Sequence, residues 1–285
     1  MQTSFTIAYF RGVPIKVDLS LIILALWLVF EAGQSLGSLS SGLIVGLSTA
    51  VLLVLSVALH ELGHTAVALK YGCRVRDITL MLIGGRATML DIPRSPMKEF
   101  WMAIAGPAVS AALWLLGTHL DHLISLHARA VGGYTTGSMI VAVIFSWLAM
   151  INKGLLLFNL IPAFPMDGGR VLRALLARRM GRLRATYIAS RIGRFIAIAM
   201  GIYGLIRGRI MLMLIAYFVF TSADNEYRMV QFEEGGFWGR GRGGFGGFGG
   251  FRGFGDFFGG GRRDRDYGDS DDDIRVSPPP YDRKR

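Results

Sequence analysis

The sequence is poor in cysteine and in charged residues. Its 285 residues include one cysteine, Cys73, and charged residues make up only 18% of the chain. A single cysteine cannot close an intramolecular disulfide, which excludes a disulfide-stapled secreted scaffold, and it also excludes a zinc site built from several cysteines. Soluble domains average about 25% charged residues. The low charge, the 52% hydrophobic content and the mean hydropathy of +0.44 together predict an integral membrane protein.

The net charge of +11 is confined to the apolar part of the chain. Residues 1–232 hold 21 Lys and Arg against 10 Asp and Glu, whereas residues 233–285 hold 10 of each. In membrane proteins, Lys and Arg are concentrated in the loops on the cytoplasmic side. We therefore interpret the excess as a signal of membrane topology, and we expect no nucleic-acid binding.

Six apolar runs are candidates for membrane spans, which need about 20 residues of helix. Segments rich in Lys and Arg precede the first run, separate the second from the third and follow the fourth. This distribution predicts that these segments, and both termini, face the cytoplasm. The last two runs are short, so they are either spans whose flanking Arg side chains snorkel to the interface or a re-entrant hairpin. The runs are residues 19–30, 43–69, 100–120, 138–161, 195–206 and 210–220.

The end of the second run carries the sequence HELGH, from His60 to His64. Helix residues four apart share a face, so His60 and His64 can bind one metal ion, and Glu61 is placed to take a proton from metal-activated water. Ionisable groups are costly in an apolar span unless they are paired or line a wet cavity. A metal site explains them better than two structural histidines, which is the competing interpretation.

A zinc hydrolase needs a third protein ligand, and Asp167 is the candidate. It follows the fourth run in a segment with Pro162, Pro165 and two glycines, which predicts an irregular turn. The charge-derived topology places this segment on the same side as the two histidines. The alternative for Asp167 is an ordinary turn residue beside two glycines.

Two further patterns surround these residues. Residues 74–90 predict two strands about a turn at Gly84 and Gly85, which would form either a functional hairpin or ordinary packing structure. Gly106 and Ser110 lie four apart in the third run and predict close helix packing.

HELGH together with NLIPAFPMDGGR resembles the site-2 protease family of intramembrane zinc metalloproteases, over about residues 5–228 and in a short form without PDZ or cystathionine-synthase-type domains. The resemblance implies one Zn²⁺ per chain on His60, His64 and Asp167. It implies that Glu61 is the general base and acid, with zinc-bound water as the nucleophile. It further implies cleavage within the transmembrane segments of single-span membrane proteins, commonly after a first cut by an upstream site-1-type protease, as regulated intramembrane proteolysis.

The resemblance also suggests residues that contact substrate. Asn159 matches a family position thought to hold the substrate backbone or the developing oxyanion, although an interhelical hydrogen bond is an alternative role. The strands around Gly84 and Gly85 look like a membrane-associated hairpin that offers an edge strand to substrate. The family often has Asn where this chain has Ser110, and this departure puts a polar role of Ser110 in doubt. Four residues in or beside the outer connection could suggest a second metal site, but their position does not favour one: His119, Asp121, His122 and His127.

We therefore predict an all-α polytopic membrane protein with about six transmembrane helices, a small β-hairpin and a disordered C-terminal tail. Residues 1–230 form the protease domain, and residues 231–285 are a Gly/Phe-rich and charged tail that ends near a Pro278–Tyr281 motif suited to a cytoplasmic partner. The active site and both termini would face the cytoplasm of the cell. The alternative function is a catalytically inactive scaffold or a metal-handling membrane protein.

Overall fold

The computed structural model describes residues 4–81, 84–90 and 95–235. Within these ranges the chain forms seven α-helices and one four-stranded sheet. The helices are α1 (Ser20–Leu36), α2 (Leu39–Lys70), α3 (Pro96–Ala130), α4 (Thr136–Asn159), α5 (Asp167–Met180), α6 (Arg182–Ile206) and α7 (Ile210–Gly235). The strands are β1 (Ser4–Phe10), β2 (Val13–Asp18), β3 (Val75–Met81) and β4 (Gly84–Met89).

Four helices in the described part of the chain are long and apolar enough to cross a membrane. They are α2 from Gly42 to Lys70, α3, α4 and α6, and a shorter apolar helix covers Ser20–Ser35. All six apolar runs of the sequence fall on helices: run 195–206 is the second half of α6, and run 210–220 begins α7. The protein is therefore a mostly helical membrane protein, and the number of six spans stays a prediction.

The sheet is larger than the predicted hairpin. Its strand order is β1-β2-β3-β4, in which β1–β2 and β3–β4 are antiparallel and β2–β3 is parallel. The prediction missed β1 and β2 although their signal is present. Arg11 and Gly12 have φ values of 47° and 84°, which suits a two-residue hairpin turn. Val13, Ile15 and Val17 alternate along β2, and the first two are buried.

The predicted turn at Gly84 and Gly85 was also wrong, because both glycines belong to β4. The connection between β3 and β4 falls on residues 82 and 83, which lie outside the described residues. The first residues of the predicted tail, 231–235, belong to α7. The tail from residue 236 onward lies outside the described residues, so its disorder and its partner stay predictions.

The sheet packs on α2 through an apolar cluster of Val13, Ile15, Val57, Ile78 and Leu80. Val57 lies on α2, one helical turn before Glu61. The sheet is thereby attached to the helix segment that carries the HELGH residues.

An ion pair between Lys16 Nζ and Asp77 Oδ2, 2.9 Å apart, links β2 to β3. Burial alone would raise the pKa of the Asp77 carboxyl, but the hydrogen bond from Lys16 and the charges of Lys16 and Arg76 hold it below its ordinary value. The carboxylate therefore stays ionised and paired at neutral pH.

Helix α1 packs against α2 at two glycines of α2. A Cβ on Gly42 would lie 2.6 Å from the Cα of Gly33, and a Cβ on Gly46 would lie 2.4 Å from the Cα of Val29. Such close approach is typical of small residues four apart in membrane helices.

Gly46→Ala is therefore expected to lower the free energy of unfolding by about 1–3 kcal/mol, because the added methyl group overlaps the backbone of α1. Gly154→Ala on α4 is the matched control, since nothing lies within 4 Å of its Cβ position. The control should be neutral or slightly stabilising because alanine is the better helix former. Thermal unfolding in detergent measures both variants, and equal stabilities would contradict this account of the packing.

Candidate metal centre

Three predicted ligands from two helices meet at one point. His60 Nε2 and His64 Nε2 lie 3.2 Å apart, and Asp167 Oδ2 lies 3.1 Å from each of them. All three residues are buried. Among the described residues, this is the one group of His, Cys, Asp or Glu side chains close enough to hold a metal ion. The residues assigned to the outer connection lie within α3: His119, Asp121, His122 and His127.

The donor set fits a zinc ion. His64 Nδ1 lies 2.7 Å from the carbonyl oxygen of Met102. A carbonyl only accepts hydrogen bonds, so Nδ1 carries the proton and Nε2 presents its lone pair to Asp167 and His60. Two imidazole nitrogens and a carboxylate oxygen then converge, and a cation is the natural group to bind them all. Zinc commonly takes this N,N,O set in catalytic sites, which leave a coordination position open.

Helix α3 shapes the pocket for the two imidazoles. Met102, Gly106 and Ser110 recur every four residues and so share one face of the helix. Ser110 Oγ lies 2.9 Å from His60 Nδ1. A Cβ on Gly106 would lie 2.2 Å from His64 Nε2 and 2.7 Å from His60 Nε2. This face of α3 therefore binds the Nδ1 atoms of both histidines and leaves room for their rings.

Gly106 and Ser110 do more than the predicted helix packing. Gly106 lies in a close helix contact as predicted, and its missing side chain makes space for the metal ligands of α2. The departure from the family pattern put a polar role of Ser110 in doubt, but Ser110 is hydrogen-bonded to His60. The regular spacing of 102, 106 and 110 was the available signal. Sequence alone does not show which face of α3 meets α2.

Asp167 lies at the start of a helix and not within the irregular turn that was predicted. The irregular segment ends at Met166, and Asp167 is the first residue of α5. A Cβ on Gly168 would lie 2.4 Å from the carbonyl oxygen of Ile161, and one on Gly169 would lie 2.7 Å from the carbonyl carbon of Ala163. The two glycines thus let the first turn of α5 lie directly on the preceding segment, which sets the position of Asp167.

Glu61 contacts the sheet. A Cβ on Gly85 of β4 would lie 2.3 Å from Glu61 Cγ and 2.9 Å from its Oε1. Strand β4 therefore passes directly beside the carboxylate that neighbours the metal ligands. The preceding residue, Gly84, lines an apolar cavity of about 150 Å³.

The two asparagines of α4 differ in their contacts. Asn159 Nδ2 donates to the carbonyl oxygen of Leu155 in its own helix, at 3.0 Å. Asn152 is fully buried, and its Nδ2 donates to Ser56 Oγ at 2.9 Å, one turn before His60 on α2. The role of Asn159 toward substrate stays a prediction.

Gly106→Ala should abolish zinc binding, since its methyl group would overlap both imidazoles. Gly117→Ala is the control on the same helix, because its Cβ would meet the backbone of Ala149 at 2.9 Å, away from the ligands. We expect about one zinc per chain in the wild type, loss of that zinc in Gly106→Ala, and zinc retained in Gly117→Ala despite some loss of stability. Metal analysis of the purified, folded proteins tests this, and a zinc-loaded Gly106→Ala variant would refute the geometry.

Comparison with known proteins places this site in a family. The model of peptidase family M50 matches residues 48–121 and 118–200, which include both histidines and Asp167. A zinc metalloprotease of Methanocaldococcus jannaschii is 37% identical over 233 residues, covering 82% of this chain and 63% of the relative. The stage IV sporulation protein FB of Bacillus subtilis is 30% identical over 141 residues, covering 49% of this chain and 44% of the relative. The chain thus spans less than two thirds of each of these relatives.

A solved structure is also similar. The site-2 protease from Methanocaldococcus jannaschii aligns with a TM-score of 0.53 and 35% sequence identity, covering 79% of this chain and 95% of the other. The family model, the sequence relatives and the structural match agree with the resemblance carried by HELGH and the Asp167 segment. The chain belongs to peptidase family M50, the family of the site-2 proteases.

Proposed function

We propose that this protein is an intramembrane zinc endopeptidase that hydrolyses peptide bonds in the transmembrane segments of membrane-anchored proteins. The observation that carries the proposal is the convergence of His60, His64 and Asp167 at the end of an apolar helix, with Glu61 beside them and against a strand. The names of the relatives support a zinc metalloprotease.

The residues divide the chemistry among them. A zinc ion on His60, His64 and Asp167 would supply Lewis-acid chemistry, lowering the pKa of water and polarising a carbonyl group. Glu61 takes the proton of the attacking water and returns it to the leaving amine nitrogen. The carbonyl of Met102 and the hydroxyl of Ser110 hold the imidazole rings in orientation. Such outer contacts fix the tautomer of a metal-binding histidine.

Strand β4 supplies a way to bind substrate. It lies at one edge of the sheet, with β3 on one side, and it passes Glu61 at Gly85. A peptide bond within a helix is shielded by the helix's own hydrogen bonds. A substrate segment that pairs with β4 would be held extended, with its scissile bond near Glu61. Asn159 would then offer an amide donor to the substrate backbone.

The cavity beside Gly84 suits an apolar substrate. It lies between the sheet and helices α1, α2 and α4, and a transmembrane segment supplies aliphatic side chains of the size it admits. Its lining is entirely apolar apart from the glycine backbone: Leu21, Leu24, Leu53, Val54, Val57, Leu80, Met81, Gly84 and Leu155.

The location of the site favours cleavage near the cytoplasmic side. His64 lies six residues before the exposed Lys70 at the end of α2, about 9 Å along the helix axis. The excess of Lys and Arg in the segments at this end supports a cytoplasmic orientation for the site and both termini. Single-span membrane proteins as substrates, and an upstream protease that trims them first, are part of the same proposal.

Glu61→Gln should retain zinc and lose cleavage, because the amide cannot accept the proton of water. Glu31→Gln on the exposed part of α1 is the control and should keep both. The measurement is metal content together with fragment detection by mass spectrometry, in liposomes that contain the protein and a panel of single-span membrane proteins. Turnover by Glu61→Gln would refute the mechanism. A zinc-loaded wild type that cleaves none of the panel would favour an inactive scaffold.

A further inference from the structure

Arg173 on α5 is a buried cation that the proposed chemistry does not use. Its side chain is 1% exposed. Its Nε donates to Glu99 Oε1 at 2.7 Å, and its Nη1 donates to Glu226 Oε1 at 2.5 Å. Its Cζ lies 5.1 Å from the centre of the Phe164 ring. One guanidinium thus joins α3, α5, α7 and the segment that precedes α5.

The elements joined by Arg173 are those that build the metal centre. Glu99 lies three residues before Met102 on α3, the residue whose carbonyl accepts from His64. Arg173 lies six residues after Asp167 on α5, which is about 9 Å along the helix. Phe164 lies three residues before Asp167 and is fully buried. The bond between Arg173 and Glu99 therefore ties the helix that carries the third ligand to the helix that orients the histidines.

A charged contact is well suited to this task. Apolar packing is not directional, whereas the planar guanidinium fork fixes both the distance and the orientation of its carboxylate partners. Burial alone would lower the pKa of Arg173, but the charges of Glu99 and Glu226 more than offset this and keep the pKa above its ordinary value. The guanidinium is therefore charged at every physiological pH.

The arrangement is not explained by stability. A buried ion pair can often be replaced by apolar residues of similar volume with little loss of stability, or with a gain, because both charges must be desolvated. A metal ligand, in contrast, must be held to within about 0.5 Å of its productive position. A directional, buried contact on the helix of Asp167 meets this requirement for precise positioning.

We infer that Arg173 is a positioning residue which, through Glu99 and Glu226, fixes α5 against α3 and so places the Asp167 carboxylate for zinc. The inference rests on the proposed zinc site. It predicts that the zinc affinity of the protein depends on these three residues although none of them touches the metal.

The main test removes the whole network, so that no buried charge is left unpaired. The triple variant Glu99→Leu, Arg173→Met, Glu226→Gln should remain folded, with an unfolding temperature close to that of the wild type. Its zinc affinity should fall by about tenfold or more, as happens when contacts outside the ligand set are lost. Competition with a chromophoric chelator measures the affinity in the full chain, and the absorption spectrum of bound Co²⁺ reports a changed ligand geometry.

The control removes a similar pair elsewhere. Arg182 on α6 and Glu233 on α7 are joined at 3.0 Å, and they lie at the surface. The double variant Arg182→Met, Glu233→Leu should keep wild-type zinc affinity and the wild-type Co²⁺ spectrum. A loss of affinity in this control equal to that in the triple variant would overturn the inference.

The remaining outcomes also test the inference. A folded triple variant with unchanged zinc affinity overturns the inference while leaving the proposed function intact. If the triple variant does not fold, Arg173→Lys decides, because lysine keeps the charge but lacks the fork: weaker zinc binding supports the inference and wild-type binding overturns it. A folded wild type that binds no zinc overturns the proposed function and the inference together.

Discussion

The close approach of α3 to the end of α2 is the constraint on which the rest of the structure depends. It requires a glycine on each helix. A Cβ on Gly106 would overlap the imidazoles, and a Cβ on Gly63 would lie 2.9 Å from the carbonyl oxygen of Ala105. Because the two helices lie so close, the Met102 carbonyl accepts a hydrogen bond from His64 Nδ1. The lone pair of Nε2 then faces Asp167. One helix contact thus sets both the position and the tautomer of a ligand, and it defines where α5 must bring its carboxylate.

The sequence was sufficient to predict the features that arise within one short segment. Helical spacing puts His60 and His64 on one face, and in the structure their side chains lie close to that of Asp167. The apolar runs also predicted helices where helices lie, since the length and composition of a run are local properties. The M50 family match confirms the resemblance that HELGH and the Asp167 segment carried.

Other features depend on contacts between distant segments, and the sequence does not show these. The contacts of Gly85 with Glu61 and of Ser110 with His60 depend on how separate elements pack. A glycine or serine in the sequence does not reveal which residue of another element it will contact. The strands β1 and β2 were missed for a different reason. Their alternation covers only six or seven residues each, which is a weak strand signal directly before an apolar run. The polar helix α5 was missed because two prolines before it and two glycines in its first turn predict an irregular turn, and the irregular segment does extend to Met166.

In the proposed enzyme, the base and the third ligand are positioned by two different kinds of interaction. Glu61 is set against β4 by an apolar cluster in which Val57, one turn earlier on α2, packs with Ile78 and Leu80 of β3. A whole sheet face is docked there, and many non-directional contacts together fix its place. Asp167 begins a short helix whose buried residues include Gly168, Gly169 and Arg173. The close approach of the two glycines is therefore joined, in our inference, by the directional bonds of Arg173. The apolar docking therefore fixes the distance from Glu61 to β4, whereas the inferred role of the charged network is to fix the orientation of the helix that carries Asp167.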